Sequence, residues 1–377
     1  MAHKTLVGGT AYEIGGGKDL IGGTVYEKDH GKTLVGGTAY EMGFGSNAPI
    51  ILEVEKITSD TYAGETAYTG EQFILLDIYP KKNGTVTVTY GGLTKTITDT
   101  SGAENPNAQK VFFGTFNGVS DSVSTPTSGT LIIEGDCSNF ACASYQNTSK
   151  ATSSKYCGCI TGVTDWGNIE SIMSYAFRDC LLLTSINIPN SITTIGSYAF
   201  YGCTNLVIES LPNSITNISS NAFYSCTNLA LKSLPNGLKT IGDYAFYSCT
   251  SVDYSRIPDT VISIGEYAFR NTTNNYNYLM HDKKVTISSS VQSIGSYAFA
   301  DSGQDSSGGT YYPCGLSEVV MLATTPPTLG ENAFGTCSGS MSACPSKFTV
   351  PIGSGDAYKT AEVWSNYASK NLIVEAS

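Results

Sequence analysis

The sequence has little of the chemistry from which catalytic and metal sites are built. Its 377 residues include three histidines and two tryptophans, and only 14% of them are charged. The histidines (His3, His30 and His281) are scattered, and Cys157-Gly-Cys159 lacks the two-residue gap of a zinc knuckle. No serine lies in a nucleophile-elbow motif and no phosphate-binding loop is present. These absences predict a protein that is not an enzyme and holds no metal and no cofactor.

Long apolar runs and a leader-like start are also absent. No stretch approaches the roughly 18 consecutive apolar residues of a membrane-spanning helix. The first residues, MAHKTLVGGTAYE, have no basic segment followed by an apolar one, so we expect neither a signal peptide nor membrane insertion. The net charge of -11 and the pI of about 4.7 describe an acidic surface that repels phosphate backbones. Nucleic acid is therefore excluded as an expected partner.

Repetition is the feature that the sequence has in abundance. Five copies of one pattern, each ending in Tyr-Ala-Phe or Asn-Ala-Phe, follow one another at a strict step of 23 residues, and two more follow after 30 and 35 residues. The last residues of the seven copies are Phe177, Phe200, Phe223, Phe246, Phe269, Phe299 and Phe334. A period of this length predicts a solenoid, in which each turn buries its apolar edge against its neighbours.

Each copy predicts a strand, a turn and a packed corner. In the copy that ends at Phe200 we expect a strand at Ser185–Ile188, because the proline that follows it recurs every 23 residues and cannot lie inside a central strand. Gly196 then allows a tight bend. The residues of this copy expected in the core are Ile192, Ile195, Ala199, Phe200 and Cys203.

Two details of the copies qualify this pattern. The middle strand position, where an apolar residue is expected, holds Glu209, Lys232 and Ser255 in three successive copies, so Ile208 and Leu231 are the alternative inward residues. One cysteine recurs at a fixed place, at Cys180, Cys203, Cys226 and Cys249. Such a series predicts a ladder of buried thiols in preference to disulfides or a metal site.

The sequence IPNSITTIGSYAFYGCTNL at 188–206, with its copies, resembles the BspA-like leucine-rich repeat family over about residues 166–350. The resemblance implies a leucine-rich repeat solenoid. In residues 351–377, Tyr358, Ala361, Trp364 and Ala368 recur at helical spacing, which predicts an amphipathic helix and a last strand. Similar Ala-Tyr-Lys…Trp tails close BspA-like arrays, although Trp364 as a ligand platform is an alternative.

Residues 1–45 carry a second repeat, of 14 residues, whose copies begin at Lys4, Lys18 and Lys32. Each copy predicts a β-hairpin around Gly-Gly, and the copies bear a weaker resemblance to segments of phage structural proteins. The segment is either a flexible tether or an arm that docks on a larger assembly. The recurring docking candidates are Tyr12, Glu13, Tyr26, Glu27, Tyr40 and Glu41.

Between the two repeat regions, residues 50–135 hold about six short β-prone runs separated by turn-rich segments. This pattern predicts an immunoglobulin-like β-sandwich. Residues 136–165, rich in Ser, Thr, Asn and Cys, are predicted to link the sandwich to the solenoid. The predicted fold class is therefore mainly β, with a hairpin arm, a sandwich, a leucine-rich repeat solenoid and a C-terminal cap.

The candidate ligand-binding residues lie on outward strand positions and in the two insertions, Asn271–Asp282 and Asp301–Gly315, because loops rich in Tyr and Asn bind glycans and proteins. The alternative is that these residues are merely solvated. The candidates are Arg256, Asn274, Asn275, Tyr276, Tyr278, Tyr311 and Tyr312. Further outward strand positions are Thr184, Asn187, Ser210, Ser233 and Asp253.

Three functions fit these features. The first, favoured by the missing leader, is a phage virion component such as a tail-fibre, receptor-binding or decoration protein. Residues 1–45 would then dock to other virion or surface proteins in an oligomeric assembly, while the solenoid recognises a host-cell glycan or protein. The second is a bacterial cell-surface adhesin of the BspA-like type, which binds host matrix protein or glycan outside the cell. The third is a glycan-active enzyme.

Overall fold

The computed structural model of the chain describes backbone and side chains for residues 49–54, 74–101, 108–114, 129–142, 159–272, 284–300, 316–335 and 344–377. It describes the backbone alone for the strands and strand ends at 3–7, 10–14, 18–21, 24–27, 32–35, 38–41, 73, 115–116, 119–120, 144–146, 154–156, 283, 303–304 and 310–311. The chain divides into two compact units, Met1–Ala48 and Pro49–Ser377.

The first unit consists of paired strands that follow the 14-residue repeat. They are β1 (His3–Val7), β2 (Thr10–Ile14), β3 (Lys18–Ile21), β4 (Thr24–Glu27), β5 (Lys32–Val35) and β6 (Thr38–Glu41). Strands β1 and β2 pair antiparallel, and β3 to β6 form a four-stranded antiparallel sheet in sequence order. Val7 lies opposite Thr10, so only two residues separate the strands of the first copy, as in a tight hairpin.

The second unit begins with two antiparallel sheets. Their strands and one separate pair are β7 (Ile50–Val54), β8 (Phe73–Pro80), β9 (Thr85–Tyr90), β10 (Leu93–Thr98), β11 (Gln109–Phe116), β12 (Val119–Ser120), β13 (Gly129–Gly135), β14 (Cys137–Cys142), β15 (Ser144–Gln146), β16 (Ser154–Tyr156) and β17 (Ile160–Trp166). One sheet has the order β10-β9-β13-β7-β17 and the other β12-β11-β8-β14, while β15 pairs with β16.

The two sheets share one hydrophobic core. In β9, the period-2 sequence places Val86, Val88 and Tyr90 inward and the intervening threonines outward. The Tyr90 ring meets the Phe113 ring of the other sheet at 5.4 Å, which joins the two layers. Two antiparallel layers agree with the predicted sandwich, and its immunoglobulin-like classification stays a prediction.

The sheets extend beyond the predicted boundary at residue 135. Strand β14 pairs with β8, and β17 pairs with β7, so part of the stretch 136–165 that was predicted to be a linker belongs to the two sheets. The reason is long-range burial, because Phe140 and Ile160 are almost fully buried in the shared core. Neither strand has the regular alternation by which β9 could be predicted.

The solenoid contains short strands at regular intervals and a helical end. Its elements are β18 (Ser171–Ile172), β19 (Thr194–Ile195), β20 (Asn217–Ile218), β21 (Thr240–Ile241), β22 (Ser263–Ile264), β23 (Lys283–Ile287), β24 (Ser293–Ile294), β25 (Gly303–Gln304), β26 (Thr310–Tyr311), β27 (Leu316–Met321), β28 (Thr328–Leu329), β29 (Lys347–Val350), α1 (Gly355–Thr360), α2 (Trp364–Ala368) and β30 (Ile373–Glu375). The two-residue strands form a seven-stranded parallel sheet, β18-β19-β20-β21-β22-β24-β28. A second parallel sheet has the order β23-β27-β29-β30, and β25 pairs with β26. The predicted mainly β solenoid is thus confirmed.

The strand predicted at Ser185–Ile188 is absent, and the corresponding place in the repeat becomes a strand only from β23 onward. Copies near the start break the alternation that a strand requires: Ile208 and Leu211 are buried with two exposed residues between them. In β23, by contrast, Val285 and Ile287 are buried on either side of Thr286. Ile208 and Leu231 do take the inward places, as the alternative register predicted.

The seven repeat phenylalanines form one continuous stack. Successive ring centroids lie 4.9–5.5 Å apart with interplanar angles of 3–12°, and this spacing is kept across both insertions. Beside the stack, the predicted ladder of buried thiols is confirmed. The thiols of Cys203, Cys226 and Cys249 each donate to a phenylalanine carbonyl of the preceding turn at 2.9 Å. The additional residues of the longer repeats therefore leave the core repeat unchanged.

The C-terminal segment closes the stack, but as two short helices instead of the predicted single one. Ala361 is extended and Val363 has a φ of 65°, which ends the first helix before the second begins. The break lets both Tyr358 and Trp364 enter the core, whereas in a continuous helix two residues six positions apart would point about 120° away from each other. Trp364 is fully buried and its Nε1 donates to the Pro327 carbonyl at 2.8 Å, so it is not an exposed ligand platform.

Candidate functional site

The outward strand positions predicted from the sequence lie on an exposed surface, which we call the strand face. It is defined by Thr184, Asn187, Ser210, Ser233, Asp253 and Arg256, all of which are exposed. The buried residues between them fix their direction, as Ile257 does for Arg256. The Arg256 guanidinium is paired with the Asp259 carboxylate at 3.1 Å, where both side chains are largely exposed. Solvent screens this pair, so Arg256 stays available to an anionic or hydroxyl-bearing ligand.

A depression of about 310 Å³ opens on the strand face beside Arg256. It forms where the strict 23-residue repeat ends. There the backbone of Arg256 pairs with that of Thr286 in β23 through an isolated parallel β-bridge, and the first insertion lies between these two residues in the sequence. Its lining combines hydroxyls, one carboxylate, one phenol and one ammonium group. The lining residues are Thr250, Ser251, Val252, Asp253, Tyr254, Ser255 and Lys284.

Lys284 connects this depression to a charged cluster on the second parallel sheet. Its ammonium lies 2.5 Å from the Glu318 carboxylate, and the Lys347 ammonium lies 3.6 Å from the same group. The Thr349 hydroxyl also donates to Glu318 at 2.6 Å. Hydrogen bonding from Lys284, then from Thr349, lowers the pKa of Glu318 to about 2. The cluster thus carries a net positive charge on a protein whose total charge is negative.

Of the predicted ligand-binding residues, only Arg256 is described together with its side chain. Asn274, Asn275, Tyr276, Tyr278 and Tyr312 lie outside the described residues. Tyr311 lies in β26, of which only the backbone is described. The predicted docking pairs lie at the ends of strands whose side chains are outside the described part: Tyr12 and Glu13 in β2, Tyr26 and Glu27 in β4, and Tyr40 and Glu41 in β6. Both groups of residues remain predictions.

A second surface was not predicted from the sequence. Eight half-buried tyrosines, two positions before or one position after the phenylalanines, form what we call the tyrosine face. They are Tyr175, Tyr198, Tyr201, Tyr224, Tyr244, Tyr247, Tyr267 and Tyr297. Their period was visible in the sequence. It did not predict a surface, because a half-buried and a buried tyrosine give the same pattern.

The tyrosines stack in two neighbouring columns. Within a column the rings are nearly parallel with centroids 4.6–5.2 Å apart, for example between Tyr201 and Tyr224 or between Tyr244 and Tyr267. Between columns the rings are tilted at 5.7–6.4 Å, as for Tyr244 and Tyr247. The planes of stacked rings therefore cover one another, and each tyrosine of the face stacks on a ring of an adjacent turn.

Arginines replace tyrosine at two places on this face. The Arg178 guanidinium lies 4.7 Å from the Tyr201 ring centroid, and the Arg270 guanidinium lies 5.0 Å from that of Tyr267. Both are cation–π contacts, which use the same aromatic surfaces as the stacking. Desolvation, followed by like charges nearby, raises the pKa of the Tyr224 and Tyr244 phenols, so both stay protonated and can donate as well as accept hydrogen bonds.

The described residues contain no cluster of three or more His, Cys, Asp or Glu side chains arranged to hold a metal ion. Within the same residues, neither helix has the length and hydrophobicity needed to cross a membrane. Burial raises the pKa of the Cys203 and Cys226 thiols well above their usual range, so these cysteines are packing groups and not nucleophiles.

Comparison with known proteins finds one matching family. A family profile described as "BspA type Leucine rich repeat region" matches residues 150–276 and 274–354 with six copies, which together make up more than half of the chain. No curated protein matches the sequence.

Similar solved structures include three bacterial leucine-rich repeat proteins. One from T. pallidum is 24% identical, with 55% of this chain and 79% of that one covered and a TM-score of 0.33. A leucine-rich cell surface protein from Faecalibacterium prausnitzii is 24% identical, with coverages of 48% and 52% and a TM-score of 0.30. A third, from Bacteroides ovatus, is 18% identical, with coverages of 56% and 70% and a TM-score of 0.27.

Proposed function

The chain belongs to the family of BspA-type leucine-rich repeat proteins, and we propose on that premise that it is a non-catalytic adhesion protein of a bacterial cell surface. In this role the solenoid presents the strand face to a protein or glycan on another surface. Residues 1–45 attach the molecule to neighbouring surface proteins. The family match favours this function over that of a virion component.

One observation carries the proposal: the solenoid keeps its buried positions constant while its outward positions vary. At equivalent places of three successive copies, the buried Phe223, Phe246 and Phe269 are identical and continuously stacked. The strand-face residue two places before the repeat proline is instead Ser210, Ser233 or Arg256. A constant frame with a variable surface is how solenoids build extended binding faces.

A location outside the cytoplasm is supported by the cysteines at the end of the solenoid. Cys344 is disulfide-bonded. Structural disulfides persist in oxidising compartments and are rare in the reducing cytosol. The buried thiols of the ladder are compatible with the same compartment, because they are inaccessible to oxidants.

The location can be tested on the organism that produces the protein. Intact cells are treated with a protease that cannot enter them, and peptides of this chain are counted by mass spectrometry beside those of a cytosolic marker. We expect release of solenoid peptides without the marker. Recovery of the chain from purified phage particles, and not from washed cells, would reverse the choice between adhesin and virion component.

Binding can be tested with the full chain coated on beads and applied to epithelial cells and to immobilised matrix. We expect retention of coated beads above albumin-coated beads, reduced at least fivefold by Arg256→Ser with Lys284→Ser. Serine is already present at the position of Arg256 in the copy with Ser233, so the variant keeps a residue that the fold accepts. Lys239→Ser with Lys370→Ser removes the same charge from exposed positions elsewhere and is the matched control. Equal retention of both variants would remove the strand face from the proposal.

A further inference from the structure

We propose that the tyrosine face is a second binding surface, and that its ligand is an uncharged, linear polysaccharide. The inference deepens the proposed adhesive function and rests on it. It concerns a different surface from the strand face, with a different set of side chains.

The backbone does not require tyrosine at these positions. Tyr198, Tyr244 and Tyr267 have φ angles of 54–58°, in the left-handed region that bulky side chains disfavour. Asn221 and Asn332 occupy the equivalent places of two other copies with φ angles of 59° and 50°. Asparagine is among the residues that adopt this conformation most readily. Tyrosine is therefore present for its side chain, against the local backbone preference.

Packing of the core does not require the tyrosines either. The phenylalanine stack and the thiol ladder lie on the buried side of the same turns, and the stack passes Asn221 and Asn332 without interruption. The tyrosines are half-buried and not core residues. What they add is a continuous aromatic surface that follows the solenoid axis over several turns.

The ring geometry determines which contacts this surface offers. The ring faces are covered by one another, so a ligand meets the ring edges and the phenol hydroxyls. Within the described part of the chain, no protein group hydrogen-bonds to the hydroxyls of five of the tyrosines, whereas Tyr247 accepts from Asn271 at 3.1 Å. The five are Tyr198, Tyr201, Tyr224, Tyr244 and Tyr267. Each of these hydroxyls can both donate and accept a hydrogen bond.

The spacing favours a polymer over a small ligand. Neighbouring tyrosine rings of a column repeat every 4.6–5.2 Å, so the hydroxyls form short rows of nearly equal steps, one of which stops at Asn221 and resumes at Tyr244. A single hydrogen bond of this kind contributes little, because it replaces a bond to water. A linear glycan carries hydroxyls on every sugar ring and can contact many steps of the row at once. The avidity of such a row increases with the number of sugar units that it engages.

The charges favour an uncharged polymer. Arg178 and Arg270 lie on the face, but their guanidinium groups already contact tyrosine rings. Asp243 and Glu266 lie beside the same columns. Together with desolvation, the negative charge of Glu266 helps to raise the pKa of the Tyr244 and Tyr267 phenols, and that of Asp243 helps to raise the pKa of Tyr244. A uniformly anionic polymer would meet these carboxylates along its length. Neutral sugar hydroxyls can instead donate to the carboxylates and accept from the phenols and guanidinium groups.

The test is a calorimetric titration of the full chain with three neutral polysaccharides, namely a mixed-linkage β-glucan, a galactomannan and amylose, and with hyaluronan as the anionic probe. We expect at least one neutral polysaccharide to bind and hyaluronan not to bind. For the polymer that binds, a hexasaccharide should bind at least tenfold more tightly than a disaccharide of the same linkage.

The deciding variant carries Tyr201→Phe, Tyr224→Phe, Tyr244→Phe and Tyr267→Phe, which keeps the stacked rings and removes four hydroxyls. We expect it to unfold at the temperature of the parent and to bind at least tenfold more weakly. The strand-face variant Arg256→Ser with Lys284→Ser is the matched control and should bind the polysaccharide as the parent does.

Several outcomes would overturn the inference: binding of none of the three neutral polysaccharides, equal binding of hyaluronan, or undiminished binding by the phenylalanine variant. If that variant loses adherence to cells and no polysaccharide binds, the tyrosine face docks a protein and this proposal is wrong. Bead adherence tests the adhesive function separately. It can therefore survive a failed polysaccharide titration, and the titration can succeed when beads do not adhere.

Discussion

The Phe140 ring meets the Phe177 ring edge-on, with centroids 5.7 Å apart and an interplanar angle of 86°. Phe140 belongs to β14 of the sandwich, whereas Phe177 is the first ring of the solenoid stack. At the opposite end, Phe348 closes Phe334 in the same way at 5.4 Å and 74°. Both ends of the stack are therefore covered by rings turned away from the stacking direction, which protects the open ends that a solenoid otherwise exposes.

Truncating a ring in the middle of the stack should destabilise the protein strongly. Phe223→Ala removes a fully buried ring that stacks on both Phe200 and Phe246. We expect a loss of about 3–5 kcal/mol in the free energy of unfolding, measured by urea denaturation, because a cavity remains between two fixed turns. Tyr224→Phe, one residue away, should change it by less than about 0.5 kcal/mol. Similar losses for both variants would mean that the stack is not the main support of the solenoid.

Gly242, the residue after β21, lies so close to the preceding turn that a side chain there should be costly, although Met173 and Ser219 occupy the places after β18 and β20. A Cβ on Gly242 would lie 2.5 Å from the Ser220 backbone nitrogen of the preceding turn, although its φ is not positive. Since the Ser220 nitrogen is a backbone atom, the turn must shift locally to admit the Cβ, and Gly242→Ala should cost about 1–3 kcal/mol of unfolding free energy. Gly162→Ala, whose Cβ would lie 3.6 Å from the Glu53 Cβ, is the control and should be nearly neutral in the same urea titration. An unaffected Gly242→Ala protein would contradict this close approach.

The sequence predicted those parts of the fold that depend on contacts between identical neighbours. Phe200 and Cys203 repeat with the period, and a residue that repeats on one side of a solenoid meets its own copy. Strand β14 and the break at Val363 could not be predicted in this way. The first depends on pairing with a strand about 60 residues earlier, and the second on the need to bury Tyr358 and Trp364 together.

The candidate site, too, could be predicted from the sequence only in part. The exposure of Arg256 followed from its place outside the buried pattern, but its depression arises from Lys284, which an insertion of unpredictable length brings beside it. The tyrosine face was missed because sequence periodicity shows that a residue recurs in successive turns, but not how deeply its side chain is buried. Its signal would have been the tyrosine two places before the phenylalanine in five of the seven copies, where the copies that end at Phe223 and Phe334 have asparagine.

The stabilising role of Glu318 should depend on pH. Its folded-state pKa of about 2 lies below the ordinary 4.5, so its contribution is complete above about pH 4.5 and is lost as the pH falls towards 2. We expect Glu318→Gln to lower the free energy of unfolding by about 1 kcal/mol at pH 7, a reduced value because Lys284 is 67% exposed and solvent screens the pair. The difference should vanish near pH 2 in urea titrations. Glu362→Gln, at an exposed position, should show no such dependence, and a constant difference for Glu318→Gln would contradict the ion pair.

The thiol ladder should be protected from reagents in the folded protein. Cys226 and Cys249 are fully buried, and burial raises their pKa. Reaction is therefore opposed both by the lack of exposure of the thiols and by their low degree of ionisation. We expect labelling by a maleimide to be slower than in urea by a factor on the order of 10³ or more, because it requires opening of the solenoid. Mass spectrometry of the peptides gives the rate for each cysteine. Cys137, which is half-buried, should react first, and equal rates for all three would show that the ladder opens freely.

The unbroken stack also bears on how such a gene can change. Deleting residues 224–246, one whole period, would bring Phe223 directly onto Phe269 with the same kind of neighbour on each side and both terminal rings intact. Duplicating the same stretch would be equally acceptable, and the two interrupted copies show that a turn can also gain residues without disturbing the rings. The number of turns and the length of the inserted loops can therefore vary between descendants of this gene while the buried residues of each turn stay the same.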